Sequence, residues 1–84
     1  MSYALRLLPR AERQLEALDN KLYQTLKSKI ADLAANPRPP GCRKLSDRPG
    51  WRVRSGDYRV LYDIDDAAKT VTILEVGHRR EIYR

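Results

Sequence analysis

The chain has 84 residues, 42% of them hydrophobic and 33% charged, a balance found in folded domains rather than disordered chains. A domain this short buries only ~60–65% of its unfolded surface, so one thin core is expected, with residues 1–84 forming a single domain. Seventeen Lys and Arg against eleven Asp and Glu leave a net charge of +6, which excludes an acidic solvating protein and points to an anionic partner.

The segment Tyr3 to Leu7 is short and rich in strand-compatible residues, and Pro9 follows as a first helical residue. Leu8, Ala11, Leu15 and Leu18 then recur at helical spacing, with Arg10, Glu12, Arg13 and Glu16 off that stripe. Asp19-Asn20 offers an N-cap for a second helix carrying Leu22, Leu26, Ile30 and Leu33 on one side and Lys21, Lys27 and Lys29 elsewhere. That helix stops near Asn36-Pro37, because the residue before a proline disfavours helix. The two helices read as an αα-hairpin whose apolar stripe must lie on another layer.

Residues 37–41 form a stiff connector holding three of the five prolines. Arg43-Lys44-Leu45 reads as a short strand and Pro49-Gly50 as a turn. From Trp51 the period changes from 3.6 to 2. Trp51, Val53, Val60, Tyr62 and Ile64 alternate with Arg52, Arg54, Arg59 and Leu61 around Gly56-Asp57. Asp65 to Lys69 is a polar loop, and Thr70 to Val76 is a β-rich run. The predicted fold class is α+β: an N-terminal strand, an αα-hairpin, then a three- to four-stranded antiparallel sheet carrying the helices on one face.

A two-residue turn at Gly56-Asp57 sets Ser55 opposite Tyr58, Arg54 opposite Arg59, Val53 opposite Val60 and Trp51 opposite Tyr62. Opposed side chains share a face. One face therefore suits packing under the helices, and the other carries Arg52, Arg54, Arg59 and Leu61. Directly opposed arginines repel, which folding does not ask for, whereas a phosphate bound between them reverses the sign through paired guanidinium hydrogen bonds. The competing reading splays each arginine toward Asp57, Asp63 or water. If Val71 and Ile73 face the helices, simple alternation puts Thr72, Leu74, Val76 and His78 on the arginine side.

Charge is unevenly spread. Residues 38–59 hold seven basic and two acidic groups, residues 60–77 one basic and four acidic, and residues 78–84 three basic and one acidic, plus His78. The longest apolar run is three residues, against the ~20 a membrane-spanning helix needs. No apolar leader segment is evident at the N-terminus. The single Cys42 cannot form an internal disulfide, and one Cys with one His is too few for a protein-only zinc cage. No membrane association and a reducing cytoplasm are expected. There is no acidic cluster suited to Mg²⁺, no Gly-rich phosphate loop and no supported Ser/His/Asp set. Histidine, tyrosine and arginines remain, a set suited to metal-free RNA cleavage.

The strings Trp51-Arg52-Val53-Arg54-Ser55-Gly56-Asp57-Tyr58-Arg59-Val60-Leu61-Tyr62 and Val76-Gly77-His78-Arg79-Arg80-Glu81-Ile82-Tyr83 resemble the RelE branch of the RelE/ParE toxins of bacterial toxin–antitoxin modules. The helical hairpin and the Asn36-Pro37 break agree, so the resemblance covers nearly the whole chain. It implies a microbial-ribonuclease-like fold and an mRNA interferase that cuts mRNA in the ribosomal A site, without metal or organic cofactor. It also implies a cognate antitoxin, usually a DNA-binding repressor, that wraps and blocks the toxin in a hetero-oligomer. By motif position, Arg52 and Arg54 take the places of two basic residues on the first hairpin strand, and Arg59 that of a phosphate and transition-state stabiliser. Arg79 takes the place of an arginine that helps the leaving group or clamps the phosphate, and Tyr83 that of a tyrosine stacking on a base and acting in proton transfer. His78 stands where the best-studied members carry lysine, and whether it is the base, a stacking residue or neither stays open. Arg54, Arg59, His78, Arg79 and Tyr83 are the candidate catalytic set. Arg43, Lys44, Arg52 and Arg80 are candidate RNA contacts. A DNA gyrase poison of the ParE type and an inactive antitoxin-binding module are the alternative functions.

Overall fold

The computed structural model describes residues 2–78. In chain order it comprises strand β1 (Ala4–Leu7), helices α1 (Pro9–Glu16) and α2 (Asn20–Ala35), and strands β2 (Arg43–Lys44), β3 (Trp51–Ser55), β4 (Tyr58–Asp65) and β5 (Thr70–His78). The strands form one sheet in the order β1-β5-β4-β3-β2. The predicted antiparallel sheet is present in β2 to β5. The N-terminal strand adds a fifth member, parallel to β5, with Leu5 beside Val71 and Leu7 beside Ile73, so the sheet is mixed.

The helices begin where their residue types dictate. Pro9 occupies the first turn of α1, where its missing N–H leaves no helical bond unmade. Asp19 caps α2 by accepting a 2.9 Å hydrogen bond from the Leu22 N–H. One expectation fails here. Leu8 is exposed rather than part of the α1 stripe, because it is the N-cap and its N–H extends the β1 ladder to the Ile73 carbonyl.

The core lies between the sheet and the αα-hairpin, built from Ala11, Leu15, Leu26, Ile30 and Leu33 above Val53, Val60, Tyr62, Val71, Ile73 and Val76. β1 ends at Leu7, leaving the rest of β5 with an open edge on that side, and α1 covers it. Gln14 Oε1 accepts the Val76 N–H at 2.7 Å, a side chain replacing the carbonyl of an absent strand. Tyr62 has no exposed surface, and its hydroxyl donates to the Pro37 carbonyl at 2.6 Å, fixing the connector to the sheet. No helix among the described residues is long and apolar enough to cross a membrane.

The two faces of the sheet differ from simple alternation at one point. Leu61 pairs with Glu75, but Tyr62 pairs with Ile73, so Leu74 is an extra residue in β5. Such a bulge reverses the side-chain parity beyond it. Val76 consequently joins the helix-side core opposite Val60. The expectation that Val76 and His78 lie on the arginine side is therefore corrected.

Candidate nucleic-acid interface

The hairpin register agrees with the sequence reading at all four pairs it named, from Trp51 opposite Tyr62 to Ser55 opposite Tyr58, and adds Arg52 opposite Leu61. Gly56 takes φ +61° while Asp57 keeps a negative φ, the pattern of a type II′ turn, which matches the right-handed twist of the strands it joins. Arg54 and Arg59 are consequently cross-strand neighbours on the face away from the helices. Their environments differ. Arg54 is exposed, and no carboxylate among the described residues forms an ion pair with it. Arg59 is only 8% exposed, the one buried charged residue among those described. Its other cross-strand neighbour is Gly77, which has no side chain to compete for the space. Buried Leu61 and Leu45 lie outside the helix-side core, so the arginine face carries apolar ground of its own.

Further basic residues gather at the β2 edge. Arg43 stands opposite Arg52 and Lys44 opposite Trp51. Arg43 and Arg54 line a cleft of about 310 Å³ with Lys29, Pro40, Gly41 and Val53. Lys44 and Arg52 line a neighbouring hollow with Leu45, Ser46 and Asp47. Lys29 is the residue the sequence reading left unassigned. Among the lysines of α2 it is half-buried, whereas Lys21 and Lys27 are exposed, and the available signal was its position beside Ile30 at the margin of the apolar stripe. Only the azimuth of α2 over β3 turns that margin toward the cleft.

The connector that frames this cleft is pinned from behind. Arg38 pairs with Asp66 at 2.9 Å and packs over the Trp51 ring, 5.1 Å from its centroid. Asp66 also accepts a 2.6 Å hydrogen bond from the Tyr3 hydroxyl. The Arg38 guanidinium first, then the Tyr3 hydroxyl, hold the Asp66 carboxyl down at about 2. Burial pushes the Tyr62 phenol well above its ordinary value, so it serves as a neutral donor at physiological pH.

His78 is not among the arginines. It pairs with Tyr58 across the β4–β5 ladder, and the two rings meet edge-on with centroids 5.5 Å apart and planes at 81°, a favoured aromatic geometry. Together with Gln14, Ala17 and Leu18 they border a hollow at the end of α1. Arg79, Arg80 and Tyr83 lie outside the described residues. Within those described, Arg43, Arg52, Arg54 and Arg59 are brought together around β3, Lys44 lies at their margin, and His78 stands apart.

The sequence profile described as the ParE toxin of type II toxin–antitoxin system, parDE, matches residues 5–83. The chain belongs to this toxin family. Toxin RelG of Mycobacterium tuberculosis is 37% identical over 86 residues, covering 100% of this chain and 99% of the relative. The mRNA interferase toxin RelE of Escherichia coli is 28% identical over 93 residues, covering 99% and 92%. Among solved structures, a chain of the RelBE2 toxin–antitoxin complex of M. tuberculosis superposes with a TM-score of 0.83 at 33% identity, covering 94% of this chain and 93% of its own. The α+β architecture is thus that of the RelE toxins.

Proposed function

We propose that this RelE-like toxin is a metal-free endoribonuclease that cleaves mRNA in the ribosomal A site and is silenced by a cognate antitoxin. The observation carrying this reading is the Arg54–Arg59 pair. Opposed like charges destabilise a sheet by a few tenths of a kcal/mol or more. A phosphodiester seated on them turns that repulsion into charge-assisted hydrogen bonding, which strengthens as charge builds on the non-bridging oxygens. Relatives named mRNA interferase support the same reaction class.

In this reading the ribose 2′-oxygen attacks the adjacent phosphorus. The 2′-O–P bond forms as the 2′-hydroxyl gives its proton to a base, the P–5′-O bond breaks as the departing oxygen takes up a proton, and the products are a 2′,3′-cyclic phosphate and a 5′-hydroxyl. Arg59, held rigidly by burial, contacts the phosphate from one strand, and exposed Arg54 closes on it from the other. Arg52, Arg43, Lys44 and Arg80 hold flanking phosphates. Arg79 and Tyr83, by their place in the family motif, serve the leaving oxygen and the base stack. His78 contributes through its contact with Tyr58, as a positioning residue immediately before Arg79, rather than as the base. RelE toxins solved with RelB antitoxins support a partner of that kind for this chain, in the cytoplasm where translation occurs.

Induced expression followed by mapping of mRNA 5′ ends tests the proposal. Growth arrest with cuts inside translated codons is the expected result. Arrest with DNA damage and intact mRNA would replace it with gyrase poisoning, and absence of arrest would leave an antitoxin-binding module.

A further inference from the structure

We infer that Lys29 is an RNA-contacting residue, and that the cleft it shares with Arg43 and Arg54 holds a second phosphate of the strand whose scissile phosphate lies at Arg54–Arg59. The inference deepens the proposed cleavage reading and rests on it. Three elements each bring one cation to this cleft: α2 supplies Lys29, β2 supplies Arg43 and β3 supplies Arg54. The remaining lining, Pro40, Gly41 and Val53, contributes no acidic group. Among the described residues no carboxylate forms an ion pair with any of the three, whereas Arg10 and Arg38 each find one.

Three cations lining one concavity of about 310 Å³, none ion-paired among the described residues, favour a polyanion over a neutral ligand. The cleft floor is stiff. Pro37 is tied to the buried Tyr62 hydroxyl and Arg38 is clamped between Asp66 and Trp51, so Pro40 and Gly41 leave a defined connector. Arg54 belongs to both the cleft and the cross-strand pair, which makes the two positions continuous along one strand. Lys29 is half-buried and lines the cleft, and a lysine so placed is suited to a point-charge phosphate contact.

The test measures binding of a single-stranded 2′-O-methyl oligoribonucleotide, which cannot be cleaved, over a range of salt concentrations. Lys29→Ala, Lys29→Arg and Arg6→Ala are compared with the wild type, Arg6 lying at the far β1 edge. Loss of one phosphate contact lowers single-strand affinity about 5-fold at 0.1 M salt and reduces the salt slope by about 0.7. Lys29→Ala shows that loss, Lys29→Arg restores it, and Arg6→Ala leaves binding unchanged. Wild-type affinity and slope in Lys29→Ala, from a protein that does cut mRNA, overturn the inference and leave the cleavage reading standing. Lost binding of a glutamate-rich peptide with unchanged RNA affinity overturns it in favour of an acidic protein partner. A wild type that neither cuts nor binds RNA removes the cleavage reading itself.

Discussion

Arg54 and Arg59 face each other across the β3–β4 ladder, yet one is exposed to solvent and the other retains only 8% of its surface. The pair is thus a solvent-exposed donor set against a packed one. Replacing Arg54 with Ala keeps stability within about 0.5 kcal/mol of wild type, as at most exposed positions, while RNA cleavage falls. Replacing Arg59 with Ala lowers cleavage too, and also destabilises by roughly 1–3 kcal/mol, because a packed side chain is lost. Thermal melts read alongside a cleavage assay separate the two, and equal stability of both variants would contradict the asymmetry.

The edge-on contact of His78 with Tyr58 predicts that shape matters at this position more than basicity. His78→Phe retains most cleavage activity, and its pH–rate profile follows the wild type. His78→Ala loses more activity than His78→Phe. A profile that loses its acidic limb in His78→Phe would return the general-base role to His78.

Tyr62→Phe removes the hydroxyl that donates to the Pro37 carbonyl and leaves that acceptor buried without its donor. The expected loss is about 1–3 kcal/mol, measured as a shift of the urea midpoint with an unchanged slope. No pH dependence accompanies it below pH 10, because burial raises the phenol above its ordinary value and keeps it neutral in both states.

Asp66 gives the opposite behaviour. Its folded carboxyl is held at about 2 by Arg38 and Tyr3, below the unfolded value of about 3.9. Its contribution is therefore complete above the unfolded value, shrinks as pH falls through the interval between the two, and is absent below the folded value. The difference in denaturation midpoint between wild type and Asp66→Asn should be constant from pH 5 to pH 8 and vanish on approaching pH 2. A constant difference down to pH 2 would show that the ion pair does not act through charge.

Gln14 stands in for a missing strand. Gln14→Leu leaves the Val76 N–H without its acceptor, at an expected loss of about 1–3 kcal/mol. Amide hydrogen exchange at Val76 should accelerate relative to that of Val60, its ladder partner in the sheet interior. Unchanged protection at Val76 would mean that the edge of β5 is covered by other means.

Local rules made much of this protein readable in one dimension. A proline at the start of α1, an aspartate cap before α2 and a glycine able to take positive φ at the hairpin act over a few residues, so their consequences are visible in the order of residues alone. The hairpin register followed, and with it the opposition of Arg54 and Arg59, because a two-residue turn leaves no freedom in the pairing. Other features depend on partners far apart in the chain. The parallel addition of β1 to β5, the bulge at Leu74 that turns Val76 and His78 toward α1, the burial of Arg59 and the rotation of Lys29 into the cleft all arise when distant segments meet. Strand parity and helix azimuth are relative quantities, and only the packed core assigns them values.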